Sequence, residues 1–210
     1  MEDKNNVFIM GDSYSTYEGY IPAGYHSYYR DERTANPIVK GVEKTWWKLL
    51  EKENNLHVVQ NDSFSGSTIC NTVRPELSKE SSFVSRIDKY IHENFFTQNK
   101  VDTMLIFGGT NDCWINVPIG SVQYADWSTE DLKCALPAFC YLLDKAKKVV
   151  KNVIVIINSG LKEAVVEGFI KACEANQITY VCLKEIEKEC GHPTERGMQQ
   201  IAQQLANSLH

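Results

Sequence analysis

The stretch Val7-Phe8-Ile9-Met10-Gly11-Asp12-Ser13-Tyr14-Ser15 decides the fold of this chain. An apolar run of four residues, two of them β-branched, leads directly into Gly-Asp-Ser. This pattern predicts a buried strand that ends in a sharp turn and presents a hydroxyl group. Ligands of open α/β sheets bind at the carboxyl ends of the strands, so Ser13 is a candidate nucleophile. The same residues also suit a plain turn followed by a helix N-cap, and only the rest of the chain can separate the two interpretations.

The composition predicts a globular protein with a single domain over residues 1–210. Hydrophobic residues make up 43% of the chain and charged residues 23%. The formal net charge of -5 argues against nucleic acid or an anionic membrane as a main partner. No apolar stretch is long enough to span a bilayer, and the polar N-terminus lacks the order of a signal peptide. We therefore expect a cytoplasmic protein, unless a leader has been removed.

The cysteines predict neither a disulfide framework nor a metal site. There are seven of them, an odd number, and they are scattered without a C-x-x-C pair. This usage is typical of reduced thiols in a cytosolic protein. Since a zinc site needs clustered Cys and His ligands and the chain offers no such cluster, we expect no metal.

Strand-like runs alternate with helical patterns, which predicts βαβ units and a mostly parallel sheet. The predicted strands cover residues 7–10, 57–61, 103–107, 152–158 and 178–183. The predicted helices cover residues 45–52, 83–91, 128–150, 161–176 and 195–209. Pro137 is expected to kink or divide the third of these helices. Residues 14–42 form a long tyrosine-rich loop, whose rings either wall a substrate cleft or pack the loop onto the body.

Polar loops follow the first three predicted strands, and a histidine precedes the last helix. The loops contain Ser13, Gly66 and Asn111, and the histidine is His192. Acyl transfer requires such parts, because a serine hydroxyl is a poor nucleophile until an imidazole accepts its proton. The developing oxyanion needs preorganised donors, which backbone N–H groups and an Asn amide can supply. The loops together favour a nucleophilic serine over a plain turn.

These pieces, in this order, resemble the SGNH hydrolases, also called the GDSL family of esterases and lipases. The matching blocks are Gly11-Asp12-Ser13, Asn61-Asp62-Ser63-Phe64-Ser65-Gly66, Gly109-Thr110-Asn111-Asp112 and His192-Pro193. The resemblance implies Ser13 as the nucleophile and His192 as the base. It also implies an oxyanion hole formed by the N–H groups of Ser13 and Gly66 and the side-chain amide of Asn111.

The chain departs from the family pattern in the carboxylate that supports the histidine. The family's block usually reads D-x-x-H, and here Glu189 occupies the position of the aspartate. A glutamate side chain is one methylene group longer than an aspartate, so the loop would need a different conformation to bring its carboxylate to the histidine. Glu187 is a second candidate. A third arrangement is a Ser–His dyad in which a backbone carbonyl holds the ring.

The resemblance implies a three-layer α/β/α sandwich, flavodoxin-like, with a five-stranded parallel sheet, in agreement with the five strands predicted from the pattern. It also implies hydrolysis of a carboxylic ester through an acyl-serine intermediate, without a metal or an organic cofactor. We expect Tyr14 and Trp114 to contact the substrate, a small-molecule ester. Aromatic walls suit a sugar, so deacetylation of a carbohydrate is the favoured interpretation. The alternatives are a thioesterase, a lysophospholipase and a non-catalytic carbohydrate-binding module; the oligomeric state is not predicted.

Overall fold

The computed structural model describes residues 4–30, 38–206 and 208, and a parallel sheet forms its centre. The strands of this sheet are β1 (Asn5–Gly11), β2 (Leu56–Ser63), β3 (Thr103–Phe107), β4 (Asn152–Ile157) and β5 (Thr179–Cys182). Their order across the sheet is β2-β1-β3-β4-β5, and every neighbouring pair is parallel. This order is that of flavodoxin-like folds, in which the chain reverses direction across the sheet beside the first strand.

Helices cover both faces of the sheet. The helices are α1 (Trp46–Glu53), α2 (Phe83–His92), α3 (Phe95–Gln98), α4 (Thr110–Trp114), α5 (Ala135–Val149), α6 (Glu163–Asn176) and α7 (Glu195–Ala206). Residues of α1 and α7 belong to the core on one face, and residues of α2, α3, α5 and α6 belong to the core on the other. The predicted α/β/α sandwich with five parallel strands is confirmed.

The apolar run of β1 is buried because it lies in the middle of the sheet and contributes to both cores. Val7 and Ile9 pack on the face of α1 and α7, whereas Phe8 and Met10 pack on the opposite face. All four side chains have no exposed surface. Since alternate residues of a strand point to opposite faces, a strand covered on both sides needs a continuous apolar run.

The third predicted helix begins later than expected. A 3₁₀ turn at Asp131–Lys133 precedes α5, which starts at Ala135. The prediction of a helix that opens at Ser128 and is kinked or divided at Pro137 is therefore wrong. Pro137 lies in the first turn of α5, where N–H groups have no intrahelical partner, and its missing donor costs nothing there.

A short antiparallel hairpin, which no local pattern predicted, precedes α7. It pairs β6 (Lys188–Glu189) with β7 (His192–Pro193). The two residues between the strands, Cys190 and Gly191, have φ angles of 48° and 80°. A two-residue hairpin turn in which both residues are left-handed matches the twist of the flanking strands, and glycine adopts this conformation without strain. The hairpin determines where His192 lies.

The tyrosine-rich loop is mostly packed onto the body of the protein. Three of its rings, those of Tyr14, Tyr17 and Tyr29, are almost completely buried. Residues 31–37 of the loop lie outside the described residues, as do 207 and 209 of the last predicted helix. Within the part of the chain that the structure describes, no helix combines the length and the apolar character needed to cross a membrane.

Candidate active site

Ser13 and His192 meet at the carboxyl edge of the sheet. Ser13 follows β1 in a 3₁₀ turn, Ser13–Ser15, whose N-cap residue Asp12 accepts a hydrogen bond from the N–H of Tyr14. The Oγ atom of Ser13 lies 2.9 Å from Nε2 of His192. Both residues are buried, with 2% and 8% of their surface exposed. The turn after β1 and the hairpin before α7 thus bring a hydroxyl and an imidazole into hydrogen-bond contact.

Three groups set the orientation of the imidazole. Nδ1 of His192 lies 3.2 Å from the carbonyl oxygen of Cys190. The ring of Tyr28 stacks on the imidazole, with centroids 3.5 Å apart and planes 9° apart. The ring of Trp114 lies edge-on to the imidazole, with the two ring centroids 5.6 Å apart. Because the carbonyl can only accept, it selects the tautomer with hydrogen on Nδ1, which leaves the lone pair of Nε2 facing Ser13.

Neither candidate carboxylate supports the histidine in this structure. Glu189 lies opposite His192 in the hairpin register but is exposed, and Nδ1 pairs with the carbonyl of Cys190 instead. The carboxylate of Glu187 accepts a hydrogen bond from Thr194 Oγ1. The tight turn explains the difference, since it places a backbone carbonyl next to the ring. The geometry is that of the dyad arrangement.

The local environment favours the neutral form of the imidazole. Burial lowers the pKa of His192 below its ordinary value, and the nearby cations Lys188 and Arg74 lower it further. The hydrogen bond to the Cys190 carbonyl acts in the opposite direction without overcoming these effects. A neutral imidazole at neutral pH can accept the proton of the serine hydroxyl.

The predicted oxyanion donors lie beside this pair. Ser13, Gly66, Asn111 and His192 line one pocket of about 250 Å³. Gly66 has a φ of 88°, a conformation that favours glycine. The Nδ2 atom of Asn111 donates to Ser67 O at 2.9 Å, so one of its two N–H bonds remains available. The backbone N–H groups of Ser13 and Gly66 donate to no group among the described residues.

Two buried aspartates accept hydrogen bonds from the backbone of these loops. The carboxylate of Asp112 accepts hydrogen bonds from the N–H groups of Ile69 and Cys70, at 2.9 and 3.2 Å. Asp12 caps the serine turn, and burial raises its pKa to about 7. Neither carboxylate makes a hydrogen bond to the imidazole, whose ring nitrogens pair with Cys190 O and Ser13 Oγ.

A buried ion pair links α2 to the end of β2, and its arginine also donates a hydrogen bond to the end of β1. Nη1 of Arg86 lies 2.6 Å from Oδ2 of Asp62, and both side chains are at least 99% buried. Nη2 of Arg86 also donates to the carbonyl of Gly11 and to Ser67 Oγ, at 3.1 and 3.2 Å. Tyr90 donates its hydroxyl to Asp62 at 3.0 Å. This network anchors the loops that contain the proposed nucleophile and Gly66.

The two aromatic residues expected to contact substrate occupy different environments. Tyr14 is 1% exposed and donates its hydroxyl to the carbonyl of Gly191, so it supports the hairpin and does not reach the cleft. Trp114 is 44% exposed and lines the pocket. Tyr28 lines it as well, although nothing in the sequence distinguishes it from the other tyrosines of its loop. Arg74 and Lys188 also carry no motif that would have singled them out.

A family model and several solved structures are similar to this chain. A model of the family "GDSL-like Lipase/Acylhydrolase" matches residues 5–209. A comparison with curated proteins finds no match. Among solved structures, the chain is similar to one described as a GDSL-like lipase from Bacteroides ovatus ATCC 8483, with 37% identity and a TM-score of 0.88 over 98% of both chains. One from Bacteroides uniformis ATCC 8492, described in the same way, has 36% identity and a TM-score of 0.88 over 98% of this chain and 95% of that one. An aryl esterase from M. smegmatis shares the fold, with 14% identity and a TM-score of 0.62 over 97% of both chains.

Proposed function

The chain belongs to the GDSL-like lipase/acylhydrolase family, and we propose that it hydrolyses short acyl esters of carbohydrates with Ser13 and His192 as its catalytic dyad. The class of enzyme, an ester hydrolase, follows from the family. The 2.9 Å contact between Ser13 Oγ and His192 Nε2, inside a pocket that also contains Gly66 and Asn111, supports the assignment of roles.

The first half of the proposed reaction forms the acyl-enzyme. Ser13 Oγ attacks the carbonyl carbon of the ester while Nε2 of His192 takes the hydroxyl proton. The N–H groups of Ser13 and Gly66 and the remaining Nδ2–H of Asn111 stabilise the oxyanion of the tetrahedral intermediate. When this intermediate collapses, the bond to the alcohol oxygen breaks and the protonated imidazole returns its proton to that oxygen.

The second half regenerates the enzyme. His192 removes a proton from a water molecule, which attacks the acyl carbon and forms a second tetrahedral intermediate in the same oxyanion hole. Its collapse breaks the bond to Ser13 Oγ and returns the proton to the serine, with the carboxylic acid as product. The imidazolium that forms in each half is held by the Cys190 carbonyl instead of a carboxylate.

The size and the walls of the pocket support a short acyl group and a sugar alcohol. Its volume of about 250 Å³ is smaller than the about 300–1,000 Å³ typical of pockets for drug-sized ligands. Trp114 presents a half-exposed indole ring at this pocket, and such a ring offers a flat apolar surface for the face of a sugar.

A graded panel of esters tests this substrate class. For the unmodified enzyme, we expect the highest kcat/KM with acetylated sugars and lower values with longer acyl chains. In Trp114→Ala, we expect the KM for an acetylated sugar to rise by about three- to tenfold, because the flat surface for the sugar is lost. Steady-state kinetics with acetyl to dodecanoyl esters, and with acetylated mono- and oligosaccharides, measures both effects. Tyr124→Ala is the matched control, since Tyr124 is 46% exposed and does not line the pocket. A preference for long acyl chains would instead favour a lysophospholipase.

The acidic limb of the pH profile is a second expected result. The imidazole must be neutral to act as a base, so activity falls as the pH drops through the pKa of His192. Because this pKa is lowered by burial, Lys188 and Arg74, we expect kcat/KM for p-nitrophenyl acetate to have an apparent pKa below the ordinary value of 6.5. In Lys188→Met, the loss of a nearby positive charge moves the limb to higher pH. An apparent pKa above 6.5 in the unmodified enzyme would contradict the lowering of the His192 pKa by burial and the nearby cations.

A further inference from the structure

Arg74 lies outside every matched sequence block, yet it binds the side chain proposed to stabilise the oxyanion. Its Nε and Nη2 atoms lie 3.3 and 3.1 Å from Oδ1 of Asn111. Two N–H groups of one guanidinium therefore converge on a single amide oxygen. Nη1 of Arg74 also lies 3.9 Å from Oε1 of Glu76, and 63% of that side chain is exposed. Such an exposed pair contributes little, so the interaction with Asn111 is the more specific of the two.

The same arginine lies near the second proposed donor, Gly66. A Cβ atom placed on Gly66 would lie 3.4 Å from Cδ and 3.7 Å from Nε of Arg74. The aliphatic part of the arginine therefore lies on the side of Gly66 from which a side chain would project. Arg74 thus lies beside Gly66, after β2, and donates hydrogen bonds to Asn111, after β3.

The backbone that leads to Arg74 is fixed from several sides. Asp112, the neighbour of Asn111, binds the N–H groups of residues 69 and 70. The N–H of Asn71 donates to Leu132 O at 2.7 Å. The hydroxyl of Thr72 donates to Lys133 O at 2.8 Å. The guanidinium accordingly extends from an anchored segment, which limits the directions from which it can approach Asn111.

We propose that Arg74 is a positioning residue of the oxyanion hole, which holds the Asn111 amide with its Nδ2 directed at the reacting carbonyl. A guanidinium can only donate, so only Oδ1 of the amide can face it, and Nδ2 must face the opposite side. The positive charge of the guanidinium beside Oδ1 also polarises the amide, which makes the Nδ2–H group a stronger hydrogen-bond donor. The inference rests on the proposed function, because it concerns the same oxyanion hole.

Kinetics of Arg74→Met with p-nitrophenyl acetate tests this role. We expect kcat to fall by about 10- to 100-fold, less than or equal to the loss of a whole oxyanion donor, while KM changes by less than about twofold. Arg74→Lys retains the charge but not the two convergent donors, so it should recover only part of kcat. Lys79→Met removes an exposed positive charge from the same region and should behave like the unmodified enzyme. Thermal melting of each variant identifies any loss of folding, and Arg74→Lys provides the test if Arg74→Met does not fold.

A double-mutant cycle separates this role from a general structural one. If Arg74 acts through Asn111, then Arg74→Met in an Asn111→Ala background should lower kcat by less than about twofold. Full additivity of the two losses would overturn the proposal, as would an unchanged kcat or an effect confined to KM in Arg74→Met. Failure of the proposed function would give a different result from failure of the Arg74 proposal. If Ser13 were not the nucleophile, Ser13→Ala would retain turnover, whether position 74 is arginine or methionine.

Discussion

Replacing Ser13 with alanine is expected to lower kcat for p-nitrophenyl acetate by about 10⁴-fold or more, without a change in fold. The variant lacks the only atom that can form the acyl-enzyme in the proposed reaction, whereas the oxyanion donors remain. A fluorophosphonate should add covalently to the unmodified enzyme and fail to add to Ser13→Ala, as measured by intact-protein mass. Labelling also separates an enzyme from a non-catalytic carbohydrate-binding module, since only an activated serine reacts.

Ser121→Ala and His192→Ala complete this experiment. Ser121 is exposed and does not line the pocket, so its replacement should leave both turnover and labelling unchanged. His192→Ala should lose about as much activity as Ser13→Ala, and the double variant should lose little more, because a nucleophile and its base act as one unit. Turnover of Ser13→Ala at the rate of the unmodified enzyme would refute the proposed mechanism.

Replacing Arg86 with methionine is expected to lower the free energy of unfolding by about 3–5 kcal/mol. The change removes the positively charged partner of Asp62, whose buried carboxylate keeps the hydroxyl of Tyr90 as a hydrogen-bond donor. It also leaves the carbonyl of Gly11 and the hydroxyl of Ser67 without the guanidinium donors. Urea unfolding monitored by circular dichroism measures the loss, and activity should decline as well because the network anchors both catalytic loops.

Lys148→Met is the matched control for the buried pair. Lys148 pairs with Asp144 at 2.6 Å, but 65% of the lysine side chain is exposed. Replacing it should cost less than about 1 kcal/mol, since water and salt screen an exposed pair. In Arg86→Met/Asp62→Asn the buried charge is removed, so part of the lost stability should return. If Arg86→Met were no more destabilising than Lys148→Met, the anchoring role of the pair would be excluded.

The sheet could be predicted from the sequence because each strand carries its own local signal. The run at 103–107 was predicted with the bounds that the structure shows, and the run at 152–158 differs by a single residue. A strand that is buried on both faces needs apolar residues at every position, so a continuous apolar run indicates a central strand. The predicted kink at Pro137 is wrong, because a proline in the first turn of a helix and a proline that breaks a helix look alike in sequence.

Two groups near the imidazole, Tyr28 and Arg74, could not be predicted, because they approach it from distant parts of the chain. Tyr28 stacks on His192 from a loop more than 160 positions away, and Arg74 approaches from a segment with no motif. Glu189 was a reasonable candidate on spacing alone. Spacing does not specify turn geometry, and the left-handed pair Cys190 and Gly191 directs a carbonyl to Nδ1 instead.

Local sequence patterns predict the parallel sheet, the serine at the end of β1 and the order of the loops that accompany it. Local patterns are sufficient for these features, because burial on both faces and turn chemistry depend on neighbouring residues. The tertiary structure alone decided what holds His192, how Arg74 orients Asn111 and which aromatic rings reach the pocket. The support of His192 depends on the turn geometry of its own hairpin, which residue spacing does not specify. The other two features depend on ångström-scale distances between elements that are remote in the chain, and the packing of the whole structure sets such distances.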